Sequence, residues 1–146
     1  MTTICGFGDN FLELDYNVID EAARRLGCDY ENFAAKDTSN QKIQNEVTKR
    51  AIQFSKEDVI FIIGWTHPNR YDMLHDNQYF TYRENSTNYP SIITNKLHKY
   101  DNYLFDPLLI SQKWASQIFG LQNLLESKSI KYFNSEKTYD FDITFG

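Results

Sequence analysis

The segment Asp58–Arg70, DVIFIIGWTHPNR, constrains this chain more than any other. After Asp58 and Val59 come Ile60, Phe61, Ile62 and Ile63, and Gly64 closes the run. Apolar β-formers without polar alternation describe a strand covered on both faces, as in a parallel sheet flanked by helices. The strand then empties into Trp65, Thr66, His67, Pro68, Asn69 and Arg70. Open α/β sheets hold ligands outside the carboxyl ends of their strands. The polar cluster therefore marks where a site belongs and leaves its reaction open.

The segments before it give the strand its partners. Thr2–Phe7 is a short apolar strand running into Gly8-Asp9-Asn10. Val18, Ile19, Ala22, Ala23 and Leu26 recur on one helical face, with Asp15 or Asn17 available as cap and Gly27 as stop. Tyr30–Ala34 is a second strand candidate, and Lys36–Asn40 is a polar turn. Ile43, Val47, Ala51 and Phe54 mark a second helix. The order β-α-β-α-β predicts parallel strands joined by helical crossovers.

From Tyr71 to Asp106 neither period is sustained, and Tyr79, Phe80, Tyr82, Tyr89, Tyr100, Tyr103 and Phe105 are scattered among polar residues. This aromatic-rich insertion, residues 71 to 106, reads as a lid or an interaction surface. Helical spacing resumes at Ile110, Trp114, Ile118, Leu121 and Leu125, with Pro107 suited to the first turn. Ser129–Asn134 reads as a fourth strand, and Asp140–Gly146 is an alternating tail.

A chain of 146 residues forms one domain with a sizeable core. The net charge of −5 argues against nucleic acid, whose backbone demands a basic stripe. No stretch approaches the roughly 18 apolar residues of a membrane span, and Met1-Thr2-Thr3 lacks the basic start of a signal peptide. A cytoplasmic setting with Cys5 and Cys28 as packed, reduced thiols is expected. The sequon Asn85-Ser86-Thr87 is then accidental.

In a parallel sheet, three turns converge on one edge: Gly8-Asp9-Asn10, Asp37-Thr38-Ser39-Asn40 and Gly64-Trp65-Thr66-His67. Here the chain resembles the SGNH/GDSL hydrolases, and most of all the SGNH-like proteins of tailed phages and other viruses. Gly8-Asp9-Asn10 corresponds to the family's Gly-Asp-Ser. Asn32-Phe33-Ala34 with the turn after it corresponds to the second block, and Gly64-Trp65-Thr66 to the Gly-x-Asn block. The resemblance implies a flavodoxin-like three-layer sandwich with a mainly parallel sheet, serine-type ester or carbohydrate deacetylase chemistry and no cofactor. In a virus, the host cytoplasm or the virion would be its setting.

Three departures bear on that chemistry. Asn10 stands where the nucleophilic serine would be, and an amide is not activated by a base as a hydroxyl is. Thr66 stands where the oxyanion-binding Asn would be. The closing Asp-x-x-His is absent, since His98 is the last histidine, and an ending at Phe145-Gly146 is compatible with truncation. A rearranged centre would use Ser39 as nucleophile, His67 as base and Asp9 or Asp37 as orienter. Asn10, Asn40, Trp65, Thr66 and Arg70 would line the substrate.

Each residue has a plainer reading beside it. Ser39 is placed to cap a helix, His67 to sit in a loop, Trp65 to pack in the core, and Arg70 to form an ion pair. Two further hypotheses stay open. One is a non-catalytic module that binds a carbohydrate, or a protein through the Tyr-rich segment. The other is an unrelated flavodoxin-like domain. No metal is expected: His67, His75 and His98 are widely spaced, and although Asp72, His75 and Asp76 could share one helical turn, acidic loops commonly look like this.

Overall fold

The computed structural model describes residues 2–8, 18–35, 38–54, 58–66, 72–81 and 106–134. Strand β1 (Thr3–Phe7) leads to helix α1 (Val18–Leu26), strand β2 (Asp29–Asn32), helix α2 (Asn40–Gln53) and strand β3 (Val59–Ile63). Then come the strands β4 (Asp72–His75) and β5 (Gln78–Thr81), helix α3 (Pro107–Ser127) and strand β6 (Lys131–Asn134). The main sheet is all parallel, in the order β2-β1-β3-β6, so the chain has the α/β class its strand and helix order predicts.

The helices begin and end where local chemistry directs. In α1, Asp20 and Glu21 occupy the first turn and Arg24 and Arg25 the last, matching the helix dipole. Glu21 pairs with both arginines. Gly27, at φ 63°, turns the chain out of α1. The amides of Gly27 and Cys28 then reach back to the carbonyls of Arg24 and Ala23, as in a Schellman motif. Asp106 caps α3 by accepting from the amides of Leu108 and Leu109 ahead of Pro107. Ser129, at φ 56°, ends α3 with the same pair of back-bonds that Gly27 makes for α1.

Alternation along β1 and β3 builds two cores. Cys5, Phe7, Val59, Phe61 and Ile63 face α2 and α3, where they pack with Ile43, Val47, Ala51, Phe54, Trp65, Leu121, Leu125 and Ile130. Ile4 faces the other way, with Ile19 and Ala23 of α1. Gly6 lies under α1, and a Cβ there would fall 1.6 Å from Ile19 Cδ1. Gly6 is thus what allows α1 to settle against the strand.

Two expectations change. The stretch after residue 71 is not all irregular, because β4 and β5 pair as an antiparallel hairpin. Its two-residue turn, Asp76-Asn77, has φ of 50° and 61°, the backbone of a type I′ turn. Asp72 and His75 consequently lie on a strand and do not share a helical turn with Asp76. The second strand is Asp29–Asn32, two residues shorter at its end than Tyr30–Ala34 predicts, although the amides of Phe33 and Ala35 continue the bonding to Gly6 and Gly8. The remainder of the aromatic-rich segment, 82–105, and the tail 140–146 lie outside the described residues.

Candidate functional site

The carboxyl ends of the strands come together as the parallel order demands. Past the last paired residues, the Gly64 amide donates to Phe7 O at 2.7 Å and the Ala35 amide to Gly8 O at 3.1 Å. These bonds draw the three exits alongside one another. Thr38, Ser39, Asn40 and Thr66 are the buried polar residues among those described, and all of them sit at this edge.

Asn40, the first residue of α2, joins two of the exits. Its Nδ2 donates to Thr66 O at 3.0 Å, and its Oδ1 accepts from the Thr66 amide at 2.8 Å. Both residues are fully buried. The side-chain amide thus does for Thr66 what a neighbouring strand would do.

Ser39 caps α2. Its Oγ accepts from the Lys42 amide at 3.2 Å and donates to Asp72 Oδ2 at 2.7 Å. Asp72 Oδ1 lies 3.7 Å from Lys42 Nζ. The first residue of the hairpin is therefore tied to the first turn of α2 by a charge-assisted hydrogen bond and an ion pair.

Trp65 is buried in the main core, and its indole N–H donates to Asn134 Oδ1 at 3.3 Å on β6. Of the residues the sequence singles out, Ser39, Asn40, Trp65 and Thr66 are thus brought to one edge. Asp9, Asn10, Asp37, His67 and Arg70 lie outside the described residues.

Beside this polar cluster is a cavity of about 320 Å³, lined by Phe7, Gly8, Phe33, Ala35, Thr38, Lys42, Ile43, Asn45 and Glu46. It opens between the ends of β1 and β2 and the first turns of α2, sharing Thr38 and Lys42 with the cluster. Its apolar side comes from Phe7, Phe33, Ala35 and Ile43. Phe33 is stacked on Phe7, with centroids 5.4 Å apart, and Arg50 Cζ lies 4.1 Å from the Phe33 centroid. The Phe33 ring thus already carries an aromatic and a cationic neighbour. Arg50 is itself held by Glu46, Nε to Oε1 at 2.8 Å.

Sequence reasoning misses Lys42, Asn45 and Glu46, and weighs Asp72 only as a metal ligand beside His75 and Asp76. The helical period of α2 holds a signal for three of them: 42, 45 and 46 form a polar stripe beside the core stripe 43, 47 and 51. Asp72 has no such local signal, since its partner Ser39 is distant in sequence. Among the described residues no group of His, Cys, Asp and Glu is arranged to hold a metal ion, and no helix is long and apolar enough to cross a membrane.

The chain matches no family model, no curated protein and no solved structure in the comparisons made, so the chemistry of this edge has to be argued from its geometry.

Proposed function

We propose that this chain is a non-catalytic binding module on an SGNH-like, flavodoxin-like three-layer fold, ancestrally that of an esterase or carbohydrate deacetylase. Its ligand is a small carbohydrate taken at the carboxyl edge of the sheet. The strand order β2-β1-β3-β6 supports the fold comparison, because ligands of such sheets gather where the winding reverses about β1 and β3.

The state of Ser39 carries the reading. Its hydroxyl has no exposed surface, its proton is donated to Asp72, and one of its lone pairs accepts from the Lys42 amide. A serine nucleophile has to present Oγ to the substrate and share its proton with a base. Ser39 instead serves as a helix cap, and the adjoining cavity offers room for a ligand. Asn10 and Thr66, at the positions of the family's serine and asparagine, support the same conclusion.

Hydrolysis of a panel of p-nitrophenyl esters tests it. The expected result is no turnover above buffer. Ser39→Ala should lower the melting temperature and leave that background unchanged. Turnover abolished by both Ser39→Ala and His67→Ala, in folded variants, would support the rearranged hydrolase in its place, with Asp9 or Asp37 as the orienter to be tested next.

A further inference from the structure

We infer that the cavity beside α2 is a site for one uncharged, monosaccharide-sized polyol, and that Asp72 is the positioning residue for the lysine that holds it. The inference rests on the binding-module reading and narrows its ligand.

Size and charge set the class. A volume of about 320 Å³ is at the small end of ligand clefts, so it admits one ring and not a chain of them. The cavity rim carries Lys42 and Glu46, but each is already opposed by a fixed charge. Lys42 Nζ lies 3.7 Å from Asp72 Oδ1, and Glu46 Oε1 takes the Arg50 Nε bond at 2.8 Å. The four charges cancel. Among the described residues an ionic ligand thus gains no net charge, and it would have to compete with a resident partner.

Hydrogen-bonding capacity narrows it further. Lys42 only donates, Glu46 only accepts, and the Asn45 amide does both. Positions 42 and 46 are about 6 Å apart along the helix axis, a span on the scale of a hydroxylated ring. A hydroxyl group both donates and accepts, so one polyol satisfies all three side chains. Its C–H face would rest on Phe7, Ile43 and Ala35 and on the edge of Phe33. Phe33 already carries the Phe7 ring and the Arg50 guanidinium, so hydrogen bonds to Lys42, Asn45 and Glu46 are the main hold on the ligand.

Calorimetric titration of the full chain tests this with glucose, N-acetylglucosamine, myo-inositol, glucuronate, glucosamine and a disaccharide. One or more of the three neutral single-ring probes is expected to bind with one-to-one stoichiometry and an affinity that does not fall with added salt. Glucuronate, glucosamine and the disaccharide should bind more weakly. Lys42→Met and Glu46→Gln should each reduce affinity about tenfold, the range of a hydrogen bond to a charged group. Both side chains are partly exposed, and a circular-dichroism melt checks that the variants fold.

Asp72→Asn gives a readout that a purely structural role would not move. It keeps the side chain's shape and removes the charge opposing Lys42, so glucuronate should now bind better than to the natural protein, with an affinity that falls as salt rises. Tighter binding of glucuronate, glucosamine or the disaccharide than of any neutral ring by the natural protein overturns the ligand class and leaves the module reading standing. Binding by none of the probes, or binding indifferent to Lys42→Met and Glu46→Gln, overturns the site. No gain of glucuronate binding in Asp72→Asn overturns the role given to Asp72. Ester turnover dependent on Ser39 would overturn the module reading instead.

Discussion

Phe61 and Ile62 are neighbours in β3 and live in different surroundings. Phe61 is fully buried between Phe7 and the helices α2 and α3, while Ile62, on the opposite face, is half-buried. β6 repeats the contrast. Tyr132 packs toward the main core and donates its hydroxyl to Glu126 of α3 at 2.9 Å, whereas Phe133 is 64% exposed. Among the described residues, two helices, of 14 and 21 residues, lie on one face and the nine residues of α1 on the other. The same strands thus supply a deep core on one side and a shallow one on the other. Burial, and not residue type, decides where stability resides, since Ile, Phe and Tyr occupy both faces.

Substitutions that remove apolar volume should expose this contrast most strongly. Phe61→Ala is expected to cost about 3–5 kcal/mol in chemical denaturation, because it empties a site with no room to collapse. Asn40→Ala comes next, at about 2–3 kcal/mol, since it removes two buried hydrogen bonds to the backbone of Thr66. That effect belongs to the candidate site, and an unaltered melting curve would show that the edge is not stitched as described.

Ile62→Ala should cost only about 1 kcal/mol, the value for half-buried methyl groups. A loss equal to that of Phe61→Ala would break the comparison by showing the two faces to be equally packed. The smallest effect concerns Tyr132. Partial burial, then the hydrogen bond to Glu126 and the charge of that carboxylate, raise the phenol above its ordinary pKa. A pKa raised by folding favours the protonated form, so the contribution is complete below the unfolded value and fades as pH rises through the folded one. Glu126→Gln should shift the ultraviolet titration of Tyr132 to lower pH, and an unmoved titration would remove Glu126 as a cause.

Much of the main layer is legible in the sequence because it is periodic. Ile43, Val47 and Ala51 announce α2, Trp114, Leu121 and Leu125 announce α3, and the run through Phe61 announces β3. Gly27 and Pro107 mark helix ends for reasons that act within a few residues. The hairpin β4–β5 is harder to read, because Asp76-Asn77 reaches positive φ without the glycine that usually advertises such a turn. The shallowness of the α1 face is likewise hidden, since Ile60 and Ile62 look as buried in the sequence as Phe61 does. The site divides in the same way. Convergence of the Ser39–Asn40 turn with Thr66 follows from parallel strands, and the cap at Ser39 follows from its place before a helix. The Ser39–Asp72–Lys42 triangle depends on where the hairpin folds back, a tertiary fact with no local pattern.

The place of β6 in the sheet also sets an order of assembly. β1, β2 and β3 are linked through α1 and α2 by short connections, but β6 reaches β3 only after the chain between Ile63 and Lys131 has closed on itself. Closing a long loop costs entropy before any contact rewards it, so β6 is the strand expected to dock last. Until it does, Val59–Ile63 stands with one unpaired edge and an uncharged apolar sequence, a template for the same strand of another molecule. Refolding yield should therefore fall as protein concentration rises, and β6 guards the chain against self-association only once it has docked.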